Sequence, residues 1–238
     1  MRALALDTTT STCSVALVED DHVLAERSGN TSRSQAEQLP GILLELLDSV
    51  GVPLSTIDVF GVAAGPGSFT GLRIGIATMQ GLAFVMQRPI AGVSALEALA
   101  QIASRQVSPG TVVAAWQDAR RHEVFGALYA VSEAPVFSRE RLIELDPPAA
   151  ASPQATLARW QTMLVQEGVF IGDGAVAYDD ALAGYRVVRP TPLLAVPIAM
   201  MALHRARTGD VKDAGRVSPL YVRRPDAEIA REKSKPAS

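Results

Sequence analysis

Cysteine and histidine are scarce in this chain, and the scarcity excludes several chemistries at once. A single cysteine, Cys13, rules out an internal disulfide and fits a reducing compartment. The three histidines, His22, His122 and His204, include no pair at i,i+3 or i,i+4 spacing. No helical metal pair is therefore encoded, a zinc peptidase is excluded, and no metal ligand is assigned. No apolar run reaches the 18 or so residues of a membrane span. Arg2 is followed by only four apolar residues before Asp7, which is not a signal-peptide pattern. A cytoplasmic protein with no membrane partner is the expectation.

An excess of charge is missing too. The net charge is −3, which gives no global attraction to nucleic acid. Basic residues concentrate only at the end, at Arg223, Arg224, Arg231, Lys233 and Lys235. Asp226, Glu228 and Glu232 interleave with them, so 223–238 reads as a solvated flexible tail rather than an RNA contact.

What the chain does have is apolar residues, 48% of 238, enough for one large domain or two of ordinary size. Residues 3–6 make a buried strand stopping at Asp7, followed by the hydroxyl-rich turn Thr8–Thr12. Cys13–Val18 and Val23–Glu26 continue an antiparallel meander. Ser34 and Glu37 have the form of a capping box before a helix carrying Leu39, Ile42, Leu43, Leu46, Leu47 and Val50. Pro40 dissents, because proline inside a helix removes a bond and kinks it.

Next come a strand over 57–64, a Gly/Pro turn and a helix over about 71–86, then a strand over 89–93 and a helix over about 94–105. The order β-β-β-α-β-α-β-α is an α/β pattern. After Ser108–Gly110 it starts again. Thr111–Trp116 is a strand leading to Asp118, and Glu123–Val131 is the returning strand. Asp7 and Asp118 fall at equivalent places, so a duplicated, two-lobed architecture is expected, with lobes 1–108 and 109–222. Residues 135–159, rich in Pro and Ala, carry no clear pattern. A terminal helix over about 193–206 is expected to pack back on the first lobe.

Gly65–Phe84 is the most informative stretch. It has no Lys-Ser/Thr pair after its last glycine and is not a Walker A loop. Nor is Ser68 in the G-x-S-x-G frame of a nucleophile elbow. Gly71 and Gly75 share a helix face, where each glycine costs about 0.8–1 kcal/mol relative to alanine. Close packing on a sheet explains that cost, and so does close approach of a partner helix. On the second reading, Leu39, Ile42, Leu43, Leu46, Gly71, Gly75, Thr78 and Met79 form a partner or dimer interface. Phosphate chemistry is the other candidate. Asp7, Thr8, Thr9, Asp118, Gly172, Asp173 and Gly174 are placed to clamp a nucleotide between two turns. The alternative is that they only cap strand ends, and spacing leaves both open.

LALDTT, Ser34-x-x-Glu37, AAGPGSFTGLRIG and QDARRHEVFGALY together resemble the TsaB (YeaZ-type) family, most closely over the first 130 residues. The resemblance implies the actin/Hsp70/sugar-kinase fold, with two RNase H-like lobes. It also implies a non-catalytic subunit of the machinery that makes threonylcarbamoyladenosine at position 37 of tRNAs reading ANN codons. Such a subunit dimerises with its catalytic paralogue TsaD, meets the ATPase TsaE through the complex, touches tRNA only indirectly, and self-associates when alone. ATP or ADP is expected only in the complex. The paralogue's His-Leu-Glu-Gly-His matches Ala95–Leu99 here, so both imidazoles are replaced. Competing readings are an autonomous ATP-binding kinase or ATPase of the same fold, and a glycopeptidase, an old label for the superfamily that the missing histidines oppose.

Overall fold

The computed structural model describes residues 1–29, 35–164, 168–189 and 193–223. β1 (Arg2–Asp7), β2 (Ser14–Glu19) and β3 (His22–Ser28) form an antiparallel meander. β1 is apolar from Ala3 to Leu6 because layers cover both its faces, and all four residues are fully buried. α1 (Gln35–Ser49) runs on through Pro40, which is exposed. Ser34 and the Glu37 side chain lie outside the described residues, and with them the expected capping box. β4 (Val59–Gly65) pairs parallel with β1. α2 (Phe69–Met86) starts at Ser68, whose hydroxyl accepts the Gly71 amide at 3.2 Å. β5 (Ile90–Ser94) lies beside β4, and α3 (Ala95–Ser104) is capped by Ser94. The sheet order is β3-β2-β1-β4-β5.

The second half repeats this pattern. β6 (Val112–Arg120), β7 (Glu123–Val131) and β8 (Leu142–Ala151) form the meander, and α4 (Pro153–Trp160) follows. Then come β9 (Val169–Ile171), α5 (Asp173–Ala177), β10 (Arg186–Val187) and α6 (Ala195–Arg207). Its sheet runs β8-β7-β6-β9-β10, the first order over again. β8 and α4 occupy the stretch that carried no clear pattern. Pro147 and Pro148 hide the strand, but β8 is an edge, where a missing N–H forfeits little of the ladder. Its register on β7 is irregular between Gly126 and Tyr129.

α1 and α2 cover the outer face of the first sheet, and α4 and α5 that of the second. Between the sheets lie α3 and α6, each crossing over to the other half. α6 packs on β1, β2 and β4, while α3 packs on β6 and β7. Alanines make this close middle layer possible: Ala95, Ala98, Ala100, Ala103, Ala199 and Ala202 are all fully buried in one shared core. The result is a duplicated pair of α/β lobes sharing one sheet order, as the sequence pattern led one to expect.

Candidate functional site

The ends of β1 and β6 meet at the bottom of a cleft of about 700 Å³ between the two sheets. On the first wall Asp7, 3% exposed, accepts two hydrogen bonds at Oδ1, from the Thr9 amide at 2.9 Å and the Thr9 hydroxyl at 2.7 Å. Burial pushes its carboxyl up to about 6, against the pull of the Thr9 bonds and helped by the charge of Asp173. The Thr8 hydroxyl donates to the Gly71 carbonyl at 2.8 Å. The Ser68 amide donates to the Thr9 carbonyl at 2.7 Å, clamping the Gly/Pro turn onto the Thr8–Thr9 turn.

On the second wall Asp118 Oδ1 accepts the Arg120 amide at 2.9 Å. Asp173 Oδ1 accepts two amides, Asp118 at 3.0 Å and Gly174 at 2.9 Å, and burial raises its carboxyl above the ordinary range. Gly172 is indispensable to that contact, since a Cβ there lies 2.1 Å from the Trp116 carbonyl oxygen. Gln117 joins the walls, its Nε2 donating to Thr9 Oγ1 at 2.9 Å with both side chains buried. Neither composition nor spacing singled out Gln117. Its one signal is its place beside Asp118, at the end of a central strand.

The structure thus brings Asp7, Thr9, Asp118 and Asp173 together around the cleft, with Thr8, Gly172 and Gly174 buttressing them. The chemistry of the turns is self-contained. The amides of Ser68, Thr9, Asp118, Arg120 and Gly174 are each taken by an oxygen of the protein itself. Asp118 and Asp173 line this region together with Arg120 and Arg223, so both signs of charge face it. Ala95 and Leu99 are buried apolar side chains of the middle layer. Between them Glu97 pairs with Arg205 at 3.1 Å, and Arg205 also donates to the Gly92 carbonyl at 2.6 Å. Among the described residues no three His, Cys, Asp or Glu side chains converge as a metal site.

The expected interface residues need correction. Leu39, Leu43, Leu46 and Met79 are buried in the core between the helices and the first sheet. Gly71 and Gly75 are buried as well, and their face is turned toward β1 and its following turn. A Cβ on Gly75 lies 2.2 Å from Thr8 Oγ1. Gly75 therefore admits the protein's own Thr8, and close packing within the lobe meets its cost. Ile42 and Thr78 are half-buried at the margin. The outward faces hold different residues: Leu44, Phe84 and Val85 are 61%, 75% and 70% exposed. Gly41 and Gly81 lie beside them in open space. By length and composition alone Phe69–Met86 is apolar enough to cross a membrane, with a mean hydropathy of 1.3. Its Leu72, Ile76, Met79 and Ala83 face packs in the protein, so the unusual feature is the apolar outer side.

Comparison with known proteins accounts for this architecture. The family described as "TsaD: tRNA N6-adenosine threonylcarbamoyltransferase" matches residues 24–183. The tRNA threonylcarbamoyladenosine biosynthesis protein TsaB of Escherichia coli K12 is 34% identical over 230 residues, covering 94% of this chain and 95% of that one. The chain belongs to the TsaB family. The Haemophilus influenzae TsaB is 30% identical over 231 residues, with 92% of each chain covered. Among solved structures, YeaZ from Pseudomonas aeruginosa superposes with a TM-score of 0.75 at 31% identity, covering 92% of this chain and 99% of that one.

Proposed function

We propose that this chain is a non-catalytic partner subunit in tRNA threonylcarbamoyladenosine biosynthesis, and that it docks on a TsaD-type catalytic paralogue through the outer faces of α1 and α2. Family membership supports the pathway. The observation that carries the docking role is the exposure of three large apolar side chains, Leu44 on α1 and Phe84 and Val85 on α2, with Gly41 and Gly81 open on the same helices. Large apolar side chains at such exposure are a liability to a lone monomer and an asset at a helix–helix contact. The catalytic paralogue supplies the transfer to adenosine 37, TsaE and its nucleotide join through the complex, and self-association occupies the same face when the paralogue is absent.

The cleft gives less support to the kinase or ATPase reading, because its turn amides are already satisfied internally. Lobes 1–108 and 109–222 remain our division of the chain, with Arg223 assigned to the second wall rather than to the tail. Arg224, Arg231, Lys233 and Lys235 lie outside the described residues.

The test is reconstitution with the cognate catalytic paralogue, scoring co-elution and threonylcarbamoyl transfer to tRNA. Wild type should bind and transfer should depend on it, whereas Phe84→Asp and Gly81→Trp should abolish both with an unchanged melting temperature. Undiminished pairing in both variants removes this face from the proposal, and transfer independent of the chain removes the subunit reading.

A further inference from the structure

The chain's last described segment, Val217–Arg223, crosses the mouth of the cleft, and its two ends are held in different ways. Val217 is 6% exposed and belongs to the core beneath α2. Its carbonyl accepts Gln80 Nε2 at 2.9 Å, and its side chain sits so close to Gly92 that a Cβ there lies 2.8 Å from it. Beyond Val217 the segment rises to the surface: Leu220 and Tyr221 are 39% and 41% exposed. One end is buried in the core and the other is laid on the rim.

The rim contacts are few and specific. The Leu220 amide donates to the Ala64 carbonyl at 2.6 Å. Gly65 leaves room for this crossing, since a Cβ there lies 2.7 Å from the Leu220 carbonyl oxygen. The Tyr221 ring lies 5.0 Å from Phe69, and its hydroxyl accepts Arg73 Nε at 3.0 Å. Arg73 itself stacks over Phe69 at 3.8 Å. These groups belong to the first wall. Arg223 reaches the second, pairing with Glu123 at 2.8 Å and lying 5.8 Å over the Phe125 ring. Leu220, Tyr221, Val222 and Arg223 all line the cleft together with Thr9, Ser68, Asp118 and Ala119.

We propose that Val217–Arg223 is a strap hinged at Val217, whose outer half, Leu220–Arg223, opens and closes the cleft between the two sheets. Access to the Gly/Pro turn, Thr9 and Asp118 is then set by the C-terminal segment. Gross movement of the lobes is not needed, and the shared α3–α6 layer opposes it. Half-exposed ion pairs and cation–π stacks hold an edge weakly, whereas a buried valine side chain holds more strongly. Opening therefore breaks the rim contacts and leaves the hinge seated. The inference stands apart from the docking face on α1 and α2.

The reporter is Ala119→Cys, a small change on the cleft floor at 2% exposure, labelled with a neutral maleimide in the full-length chain. Wild type, whose Cys13 is also 2% exposed, gives the background. Adding Tyr221→Ala and Arg223→Ala should raise the labelling rate about tenfold, the combined worth of the stack and the ion pair. High salt should raise it in the strap-intact reporter as well, by screening Arg223 from Glu123. Hydrogen exchange on unmodified protein gives a reading that needs no substitution: the Leu220 amide should exchange orders of magnitude faster than that of Val62 in β4. A labelling rate indifferent to both the variants and salt overturns the proposal, as does Leu220 protection equal to that of Val62.

Discussion

Asp7 and Asp118 make the same hydrogen bond on opposite walls of the cleft: each Oδ1 accepts the amide two residues on, Thr9 or Arg120, at 2.9 Å. The repeat therefore extends from strand order down to a single turn. Their surroundings differ. Asp118 has Arg120 beside it at 3.2 Å, while Asp7 is buried with no ion pair among the described residues.

That difference sets a pH dependence. The Asp7 carboxyl lies at about 6 when folded, above its ordinary value of 3.8. Between those values the folded chain binds more protons than the unfolded one, so this group's contribution to stability falls as pH rises from about 4 to about 6, then levels off. Two units correspond to about 3 kcal/mol at most. Asp7→Asn keeps an oxygen for the Thr9 bonds and removes the titration. Urea unfolding at pH 4.5 and 7.5 should show the variant gaining on wild type at the higher pH. An equal difference at both pH values refutes the assignment.

Gly75 is a packing position. Gly75→Val drives a methyl into Thr8 and should cost about 1–3 kcal/mol of monomer stability, as overpacking does. Denaturant titration in dilute protein separates this from any loss of pairing. By contrast Gly81→Trp, facing open space, should change monomer stability by less than about 0.5 kcal/mol.

Arg205 and Glu97 tie α6 to α3 across the middle layer. Burial, the leading influence, raises the Glu97 carboxyl, and Arg205 opposes it. Arg205→Ala leaves Glu97 buried without its pair and should destabilise by about 3 kcal/mol at neutral pH. The loss should shrink as pH falls, because burial without Arg205 favours the protonated carboxyl. A loss that is flat between pH 5 and 7.5 shows that packing of the arginine stem is what matters.

Gln117 bridges the walls. Gln117→Ala removes its bond to Thr9 and should cost about 1–2 kcal/mol. Double-mutant cycles with Thr9→Ala should recover most of that as coupling; additivity shows that the two walls are held by the α3–α6 layer alone.

The sequence by itself determined the order of elements in the first half and the start of its repetition in the second. Fully covered strands must be apolar throughout, and the Asp that closes β1 and the one near the end of β6 mark equivalent turns. It singled out Asp7, Thr9, Asp118 and Asp173 as turn residues but left open whether they cap strand ends or line a cleft. β8 stayed hidden because its prolines are tolerated only at an edge, and edge position is a property of the assembled sheet. Only the tertiary structure decided which helix faces are free. A helical stripe of Gly71, Gly75 and Met79 reads the same against Thr8 as against a partner. Once the first sheet takes that stripe, Leu44, Phe84 and Val85 are left outside. The strap was equally illegible, because Tyr221 gains its role from Phe69 and Arg73, distant residues that only folding brings beneath it.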